Sequence, residues 1–211
     1  PLLFNEALWS ASVAVLNQCY STRGLTVVAA NNIASTLWNL FSVCFISLGS
    51  ATGIIIGQML GAGKPADEVR DCDRKLIAFS VTSCAVFGIA MAAVSGVFPL
   101  IYKTDSSVRS LATAFICINA VIMPFNAYAN AAYFTLRSGG KTLSTLLFDS
   151  CFVWVVSVPV AYTLSRFTGI AILPLYAVCQ SAEILKCVIG YIMLRRGSWI
   201  KNIVQTHPDA E

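Results

Sequence analysis

The sequence predicts an all-α polytopic membrane protein with six transmembrane helices, and two observations support this prediction. Hydrophobic residues make up 57% of the 211 residues and charged residues only 11%, whereas a soluble domain carries about 25% charged residues. Apolar runs long enough to cross a bilayer, about 20 residues each, recur six times. We expect one transmembrane lobe over residues 1–211, with spans at approximately 2–21, 30–60, 76–102, 110–136, 143–165 and 171–194.

The first predicted span opens the chain and contains two adjacent polar residues, Asn5 and Glu6. It lacks the basic leader and the small-residue cleavage site of a signal peptide. Because the chain starts with Pro1 rather than Met, directly in an apolar helix, we expect a fragment whose earlier portion is missing. A carboxylate at depth in a membrane helix usually faces a cavity or a partner. Glu6 is therefore either a group that binds a proton or Na⁺, or an interfacial residue hydrated at the headgroups.

The second predicted span carries four evenly spaced glycines. On a helix, a spacing of four residues places them on one stripe, where a neighbouring backbone can approach closely. In water, each glycine would destabilise a helix by roughly 1 kcal/mol relative to alanine, but in lipid the helix persists because broken backbone hydrogen bonds have no replacement. We predict a helix-packing surface formed by Gly49, Gly53, Gly57 and Gly61.

The distribution of basic residues between the two ends of the predicted spans predicts the orientation of the chain. Nine lysines and arginines fall in the 61–75 loop, the 137–141 loop and the 195–211 tail, whereas four fall in the breaks on the opposite side. The side with more basic residues is expected to be cytoplasmic. Both ends of this chain, including the 195–211 tail, are then cytoplasmic. The net charge of +4 reflects this topology, and no nucleic-acid partner is expected.

The fourth predicted span carries polar residues on one face, and Pro124 interrupts it near the middle. Such a face suits either a wet cavity wall or a seam of hydrogen bonds between helices. Interhelical hydrogen bonds in membranes contribute only about 0.6 kcal/mol on average, which favours the cavity wall. The face is made of Asn119, Asn126, Asn130, Tyr133 and Arg137.

The last two predicted spans contain three further candidate residues. Glu183 and Lys186 are three residues apart, so they can neutralise each other on their own helix. Alternatively, Lys186 reaches a carboxylate on another helix and forms a switchable ion pair. Asp149 lies near the start of the fifth span, where it is either solvated or part of the cavity lining.

Neither a metal site, an organic cofactor nor an enzyme is expected. Of the eight cysteines, seven fall in predicted spans, none forms a C-x-x-C pair, and the single histidine lies in the tail. These cysteines are best explained as small fillers between packed helices. The sequence also contains no P-loop, no G-x-S-x-G and no H-E-x-x-H motif.

Three segments together resemble the MATE (multidrug and toxic compound extrusion) family of transporters. The glycine run, Gly53-x-x-x-Gly57-Gln58-x-Leu60-Gly61-Ala62-Gly63-Lys64, resembles the second-helix signature of one half of these proteins. Glu6 shortly after a proline, and the loop Leu136-Arg137-Ser138-Gly139-Gly140-Lys141-Thr142, resemble further family features. In order and spacing, the whole chain resembles the C-terminal six-helix lobe of a twelve-helix transporter.

The resemblance implies two lobes around a central cavity that binds organic cations or amphipathic drugs. Export would proceed by alternating access, driven by Na⁺ or H⁺, with membrane lipids and the missing N-terminal lobe as partners. Glu6 falls where many members carry a cation-binding glutamate. Asn126 falls where some members carry an aspartate, and an amide neither releases a proton nor adds charge. Coupling would then rest on Glu6 alone, or on an aspartate of the N-terminal lobe.

Two other functions stay open at this point. A flippase for lipid-linked precursors or a polysaccharide exporter of the same superfamily would be expected to have a more strongly charged cavity. The other alternative is a non-transporting membrane scaffold, or a half-length protein that dimerises. We expect a secondary-active multidrug antiporter of the cell membrane.

Overall fold

The computed structural model describes residues 2–140, 145, 147–197 and 199–200. Residues 143, 144 and 146 of the predicted fifth span, and the tail beyond residue 200, lie outside the described residues. All regular structure in the described part is helical: α1 (Leu2–Ser21), α2 (Leu25–Gly61), α3 (Ala66–Val94), a short 3-10 helix (Phe98–Ile101), α4 (Ser106–Ser138), α5 (Phe148–Phe167) and α6 (Ile172–Arg195).

Five of these helices, α2 to α6, are long and apolar enough to cross a membrane. The first helix, α1, does not belong to this group, and its polar residues include Asn5, Glu6, Asn17 and Gln18. Large apolar side chains cover much of the outer surface, such as Val155, which is 72% exposed. Since water would disfavour such a surface and lipid tails do not, the chain is a multi-pass membrane protein, as predicted.

The largest difference from the predicted spans is at α3. This helix begins at Ala66 rather than at residue 76 and ends at Val94 rather than at 102. Its charged first turns are helical because Asp67 and Glu68 favour the positive end of the helix dipole, and because Lys75 pairs with Asp71 at 2.7 Å. Hydropathy marks the apolar part of a helix, and this helix begins before that part; the end of the predicted span instead contains the separate 3-10 helix Phe98–Ile101.

The glycine run ends α2 and packs its stripe against α4. Gly63, with φ of 69°, adopts the left-handed conformation that commonly terminates a helix. A methyl group added at Gly49 would lie 2.8 Å from Oδ1 of Asn130, and one at Gly53 would lie 3.1 Å from Cβ of Phe134. At Gly61 the same methyl group would meet nothing within 4 Å. The predicted packing surface is therefore tight at Gly49 and Gly53 and opens towards Gly61.

The central helix of the lobe is α4, which packs against α2, α3 and α6. It continues through Pro124, although a proline removes the hydrogen bond to the carbonyl four residues earlier. That carbonyl belongs to Ala120, and it lies against Gly88 of α3, where an added methyl group would be only 2.7 Å from its oxygen. The carbonyl released by the proline is thus covered by a glycine of the neighbouring helix.

The fifth helix is wound more widely than an α-helix over most of its first half. Leu147–Cys151 and Val153–Ser157 are π-helical, and a regular α-helix resumes over Val158–Phe167. Pro159 lies just after the second π segment and cannot bond to the carbonyl of Val155. The wide turns immediately before the proline accommodate this loss.

The described residues form two large apolar cores near opposite ends of the lobe and a smaller core between them, made of Phe45, Cys84, Met123 and Ala127. One large core surrounds Ala30, Phe115 and Tyr176 and joins α1, α2, α4 and α6. The other large core surrounds Ile56, Leu136 and Trp199, near the far ends of α2, α4 and α6. Between the two large cores, polar residues of α1, α4, α5 and α6 interrupt the apolar packing beside this smaller core. This interruption positions the candidate site.

Candidate substrate and ion cavity

A cavity of about 490 Å³ opens between the two large cores. Every long helix except α3 contributes to its wall. This volume lies in the range of pockets that bind drug-sized molecules. The wall consists of Glu6, Trp9, Trp38, Asn39, Ser42, Phe45, Ile46, Asn126, Ala129, Asn130, Tyr133, Phe134, Asp149, Glu183 and Lys186.

The structure brings most of the predicted site residues to this one cavity. Seven of them lie in its wall: Glu6, Asn126, Asn130, Tyr133, Asp149, Glu183 and Lys186. Asn5 is buried directly behind the wall, where its Nδ2 donates to Oδ2 of Asp149 at 3.3 Å. Asn119 lies elsewhere, deeper in the first core.

An ion pair between α5 and α6 forms the most polar part of the wall. Nζ of Lys186 lies 2.7 Å from Oδ1 of Asp149, and the two side chains are only 10% and 18% exposed. This is the interhelical arrangement of Lys186 that the sequence left open, rather than a pair with Glu183. The same ammonium lies 5.5 Å from the centre of the Phe148 ring, a distance at which a cation is attracted to the ring face.

Two further carboxylates, Glu6 and Glu183, share the cavity with this ion pair. Within the described residues, no ion pair or side-chain hydrogen bond engages Glu6, and its side chain is exposed. With all groups ionised, the three acids outnumber the single ammonium of Lys186, so the wall has a formal charge of −2. Among the described residues, no group of three or more His, Cys, Asp or Glu side chains could hold a metal ion.

Aromatic residues complete the wall of the cavity. Trp9 of α1 and Trp38 and Phe45 of α2 all line it, and Trp38 and Phe45 pack with ring centres 5.5 Å apart. On α4, Tyr133 and Phe134 meet edge to face at 5.4 Å. Trp9 remains 47% exposed. Aromatic faces beside carboxylates are a chemical environment that attracts organic cations.

Asn119 illustrates the other role that the sequence allowed for the polar face of α4. Its Oδ1 accepts hydrogen bonds from Tyr176 Oη at 2.9 Å and from Gln180 Nε2 at 2.6 Å. Both donors belong to α6, and Asn119 is 3% exposed. This residue therefore forms a hydrogen-bonded seam between α4 and α6. The polar face changes from a seam at Asn119 to a cavity wall at Asn126 and Asn130.

The sequence pattern did not single out Asn39 and Ser42 of α2, nor a buried acid on α3. Together with Trp38 they lie in the cavity wall, but the span around them is largely apolar. Asp73 is 2% exposed and accepts a hydrogen bond from Thr135 Oγ1 at 2.7 Å. Asp73 belongs to the buried face of α3, whose residues recur every three or four positions, and this spacing could have predicted its burial. The buried residues of α3 are Val69, Asp73, Ile77, Ser80, Cys84, Gly88 and Met91.

The fold and the cavity define a polytopic helical membrane protein with a polar, acidic chamber among its helices. The family model described as MatE matches residues 1–163. The chain therefore belongs to the MatE family, in agreement with the resemblance in the sequence.

Proteins with similar sequences include two named "Probable multidrug resistance protein NorM". The one from Mannheimia succiniciproducens is 27% identical over 74% of this chain and 33% of its own length. The one from Pasteurella multocida is 28% identical over 78% of this chain and 34% of its own length. A "Multidrug resistance protein MdtK" from Edwardsiella ictaluri is 27% identical over 77% of this chain and 35% of its own length. The chain spans about a third of the length of the curated relatives it matches.

Proposed function

We propose that this chain is the C-terminal six-helix lobe of a multidrug efflux antiporter. It would export organic cations or amphipathic drugs in exchange for Na⁺ or H⁺ by alternating access. The observation that carries the proposal is the acidic, aromatic-lined cavity within the membrane helices of a MatE-family chain. The multidrug resistance names of its relatives support the substrate class.

The charge and shape of the cavity favour cationic, drug-sized substrates. Its formal charge of −2 attracts a cation, and the attraction is strengthened where water is partly excluded. Trp9 and Trp38 offer ring faces for cation–π contact, worth about 0.5–2 kcal/mol. A single inorganic ion needs no such wall, whereas an aromatic or quaternary amine matches both features.

We assign ion coupling to Glu6 because the acids of the cavity differ in their partners. Asp149 already has a counter-ion in Lys186 and a donor in Asn5, so it is satisfied without an added cation. The carboxylate of Glu6 has neither among the described residues. A proton or Na⁺ on Glu6 would lower the free energy of enclosing this carboxylate between two lobes, and would favour one orientation of the transporter.

A second lobe would complete the cavity on the side of α1, where the described wall is open. Glu6 and Trp9 are exposed, and a second six-helix lobe opposite α1 would enclose them. Rocking of one lobe against the other would open the cavity to alternate sides of the membrane.

Vesicles with the complete transporter test this proposal. Efflux of a cationic dye is measured under an imposed Na⁺ gradient and, separately, under an imposed pH gradient. The variant Glu6→Gln should lose the gradient-driven efflux while retaining its detergent-solubilised fold, since an amide cannot exchange a proton or neutralise a cation. The control Glu68→Gln removes an exposed carboxylate at the start of α3 and should transport normally. Unchanged gradient-driven efflux by Glu6→Gln would make Glu6 structural.

A further inference from the structure

We propose that a second site, separate from the transport cavity, binds an anionic phospholipid. It is a groove of about 760 Å³ between α3, α4 and α6. Tyr128 of α4 lines this groove, whereas Asn126 and Asn130 of the same helix line the transport cavity. Positions that are two residues apart in sequence point in directions roughly 200° apart around an α-helix. The groove therefore lies on the opposite face of α4 from the cavity, and its function is independent of the transport proposal.

One end of the groove is strongly basic. Arg70 and Arg74 from the first turns of α3 meet Arg195, the last residue of α6. The single acid in the groove wall, Asp73, is buried and already accepts a hydrogen bond from Thr135. With all four groups ionised, this wall has a formal charge of +2, the opposite sign to the transport cavity.

The guanidinium of Arg70 is incompletely satisfied within the described chain. Its Nε is buried and has no hydrogen-bond partner, and its nearest carboxylate, the almost fully exposed Asp67, is 3.9 Å away. The Arg70 side chain is still 40% exposed, so its terminal N–H groups are open to a phosphate oxygen, which arginine binds with paired N–H groups. This loosely paired and partly exposed guanidinium is a second observation, besides the net charge, that points to an anionic ligand.

The remainder of the groove is apolar and extends along the membrane-spanning part of the helices. Ile77 and Val81 continue the face of α3 below the arginines, and Tyr191 and Leu194 form the facing wall on α6. Arg70 and Val81 are eleven residues apart, which corresponds to roughly 16 Å along a helix. The indole of Trp199 closes the inner side and is 1% exposed. A phosphate with an attached acyl chain matches both ends, whereas free phosphate matches only the basic end.

The position of the groove on the lobe fits this ligand. Its arginines belong to the side with the greater number of basic residues, which we predict to be cytoplasmic. Anionic lipids are concentrated in that leaflet, and basic pockets between transmembrane helices bind their headgroups. A zwitterionic lipid carries a compensating ammonium group and would be attracted less.

Native mass spectrometry of the detergent-solubilised chain tests the proposal with phosphatidylglycerol as the probe and phosphatidylcholine as the comparison. The wild-type chain should retain phosphatidylglycerol preferentially. The double variant Arg74→Gln/Arg195→Gln should bind it more weakly by about fivefold for each arginine removed. The matched control Lys75→Gln removes a cation one residue from Arg74 but outside the groove, and should bind as the wild type does.

A second variant probes the apolar part without altering charge. Ala78 is exposed and lines the groove, so Ala78→Trp should obstruct the acyl chain and reduce retention. The control Phe79→Trp places the same side chain on a residue that does not line the groove. Equal retention of the two lipids, no effect of either groove variant, or full competition by soluble glycerol phosphate would each overturn the proposal.

Discussion

At the residue scale, one amino-acid type serves two purposes on a single helix. Asn119 and Asn126 lie seven residues apart on α4, so they have nearly the same direction around the helix axis. Asn119 faces the hydroxyl of Tyr176 and the amide of Gln180, whereas Asn126 faces the cavity. The role of each asparagine is therefore set by the residue opposite it, which its own spacing does not reveal.

Replacement of each asparagine by leucine separates these roles. Asn119→Leu should lower the stability in detergent by about 1 kcal/mol, because two interhelical hydrogen bonds are lost at about 0.6 kcal/mol each. Its affinity for a cationic dye should not change. Asn126→Leu should instead weaken dye binding and leave the melting temperature nearly unaltered. Thermal unfolding and dye fluorescence titration measure both quantities, and equal effects of the two variants would refute the division of the polar face.

At the element scale, a proline and a glycine on different helices act together. Pro124 leaves the carbonyl of Ala120 without its usual helical donor, and Gly88 of α3 allows the two backbones to meet at that carbonyl. A Cα–H of glycine directed at a carbonyl oxygen is a weak hydrogen bond that recurs at helix interfaces. The glycines of α2 create a similar close approach at Gly49 and Gly53.

We predict that Gly88→Ala is the more damaging of two otherwise identical substitutions. Its methyl group would lie 2.7 Å from a backbone oxygen, which cannot rotate away, and overpacking of this kind costs about 1–3 kcal/mol. Gly61→Ala places a methyl group where nothing lies within 4 Å and should be neutral or slightly stabilising. The two variants are compared by their melting temperatures in detergent. An unchanged melting temperature of the Gly88→Ala protein would contradict the close packing of α3 on α4.

At the scale of the whole molecule, the two faces of α4 separate charges of opposite sign. The acidic cavity lies on one side, and the basic groove lies on the other.

The connections between the helices are consistent with a chain that crosses the membrane in alternating directions. Arg23, between α1 and α2, donates to the carbonyls of Leu164 and Thr168 at the end of α5, so these two connections lie at the same end of the lobe.

The orientation of the lobe yields a prediction about chemical accessibility. In intact cells, a membrane-impermeant maleimide should label Lys103→Cys from outside but should leave Lys75→Cys unlabelled until the membrane is opened. Lys103 lies in the break before α4, on the side with fewer basic residues, and Lys75 lies at the opposite end. The unsubstituted chain is the control, because it shows how strongly the eight native cysteines are labelled. The reverse pattern would invert the proposed topology.

Much of the architecture follows from the sequence because it depends on composition and spacing. An apolar run must be helical in lipid, since no water satisfies its backbone, and this fixes the helical class and most of the elements. The bounds of α3 were less predictable, because local ion pairs and dipole interactions extend a helix beyond its apolar part. The glycine stripe predicted close packing, but its spacing is uniform from Gly49 to Gly61 and does not indicate where the helices diverge.

The sequence by itself determined that the chain is a membrane helix bundle of the MatE family, and it selected most of the polar residues of the cavity. Tertiary structure decided the partner of Lys186, the division between Asn119 and Asn126, and the burial of Asp73. The physical reason is that hydrophobicity and helical periodicity act within one segment. The partner of a buried polar group, in contrast, depends on which helices are neighbours and on their rotation and register.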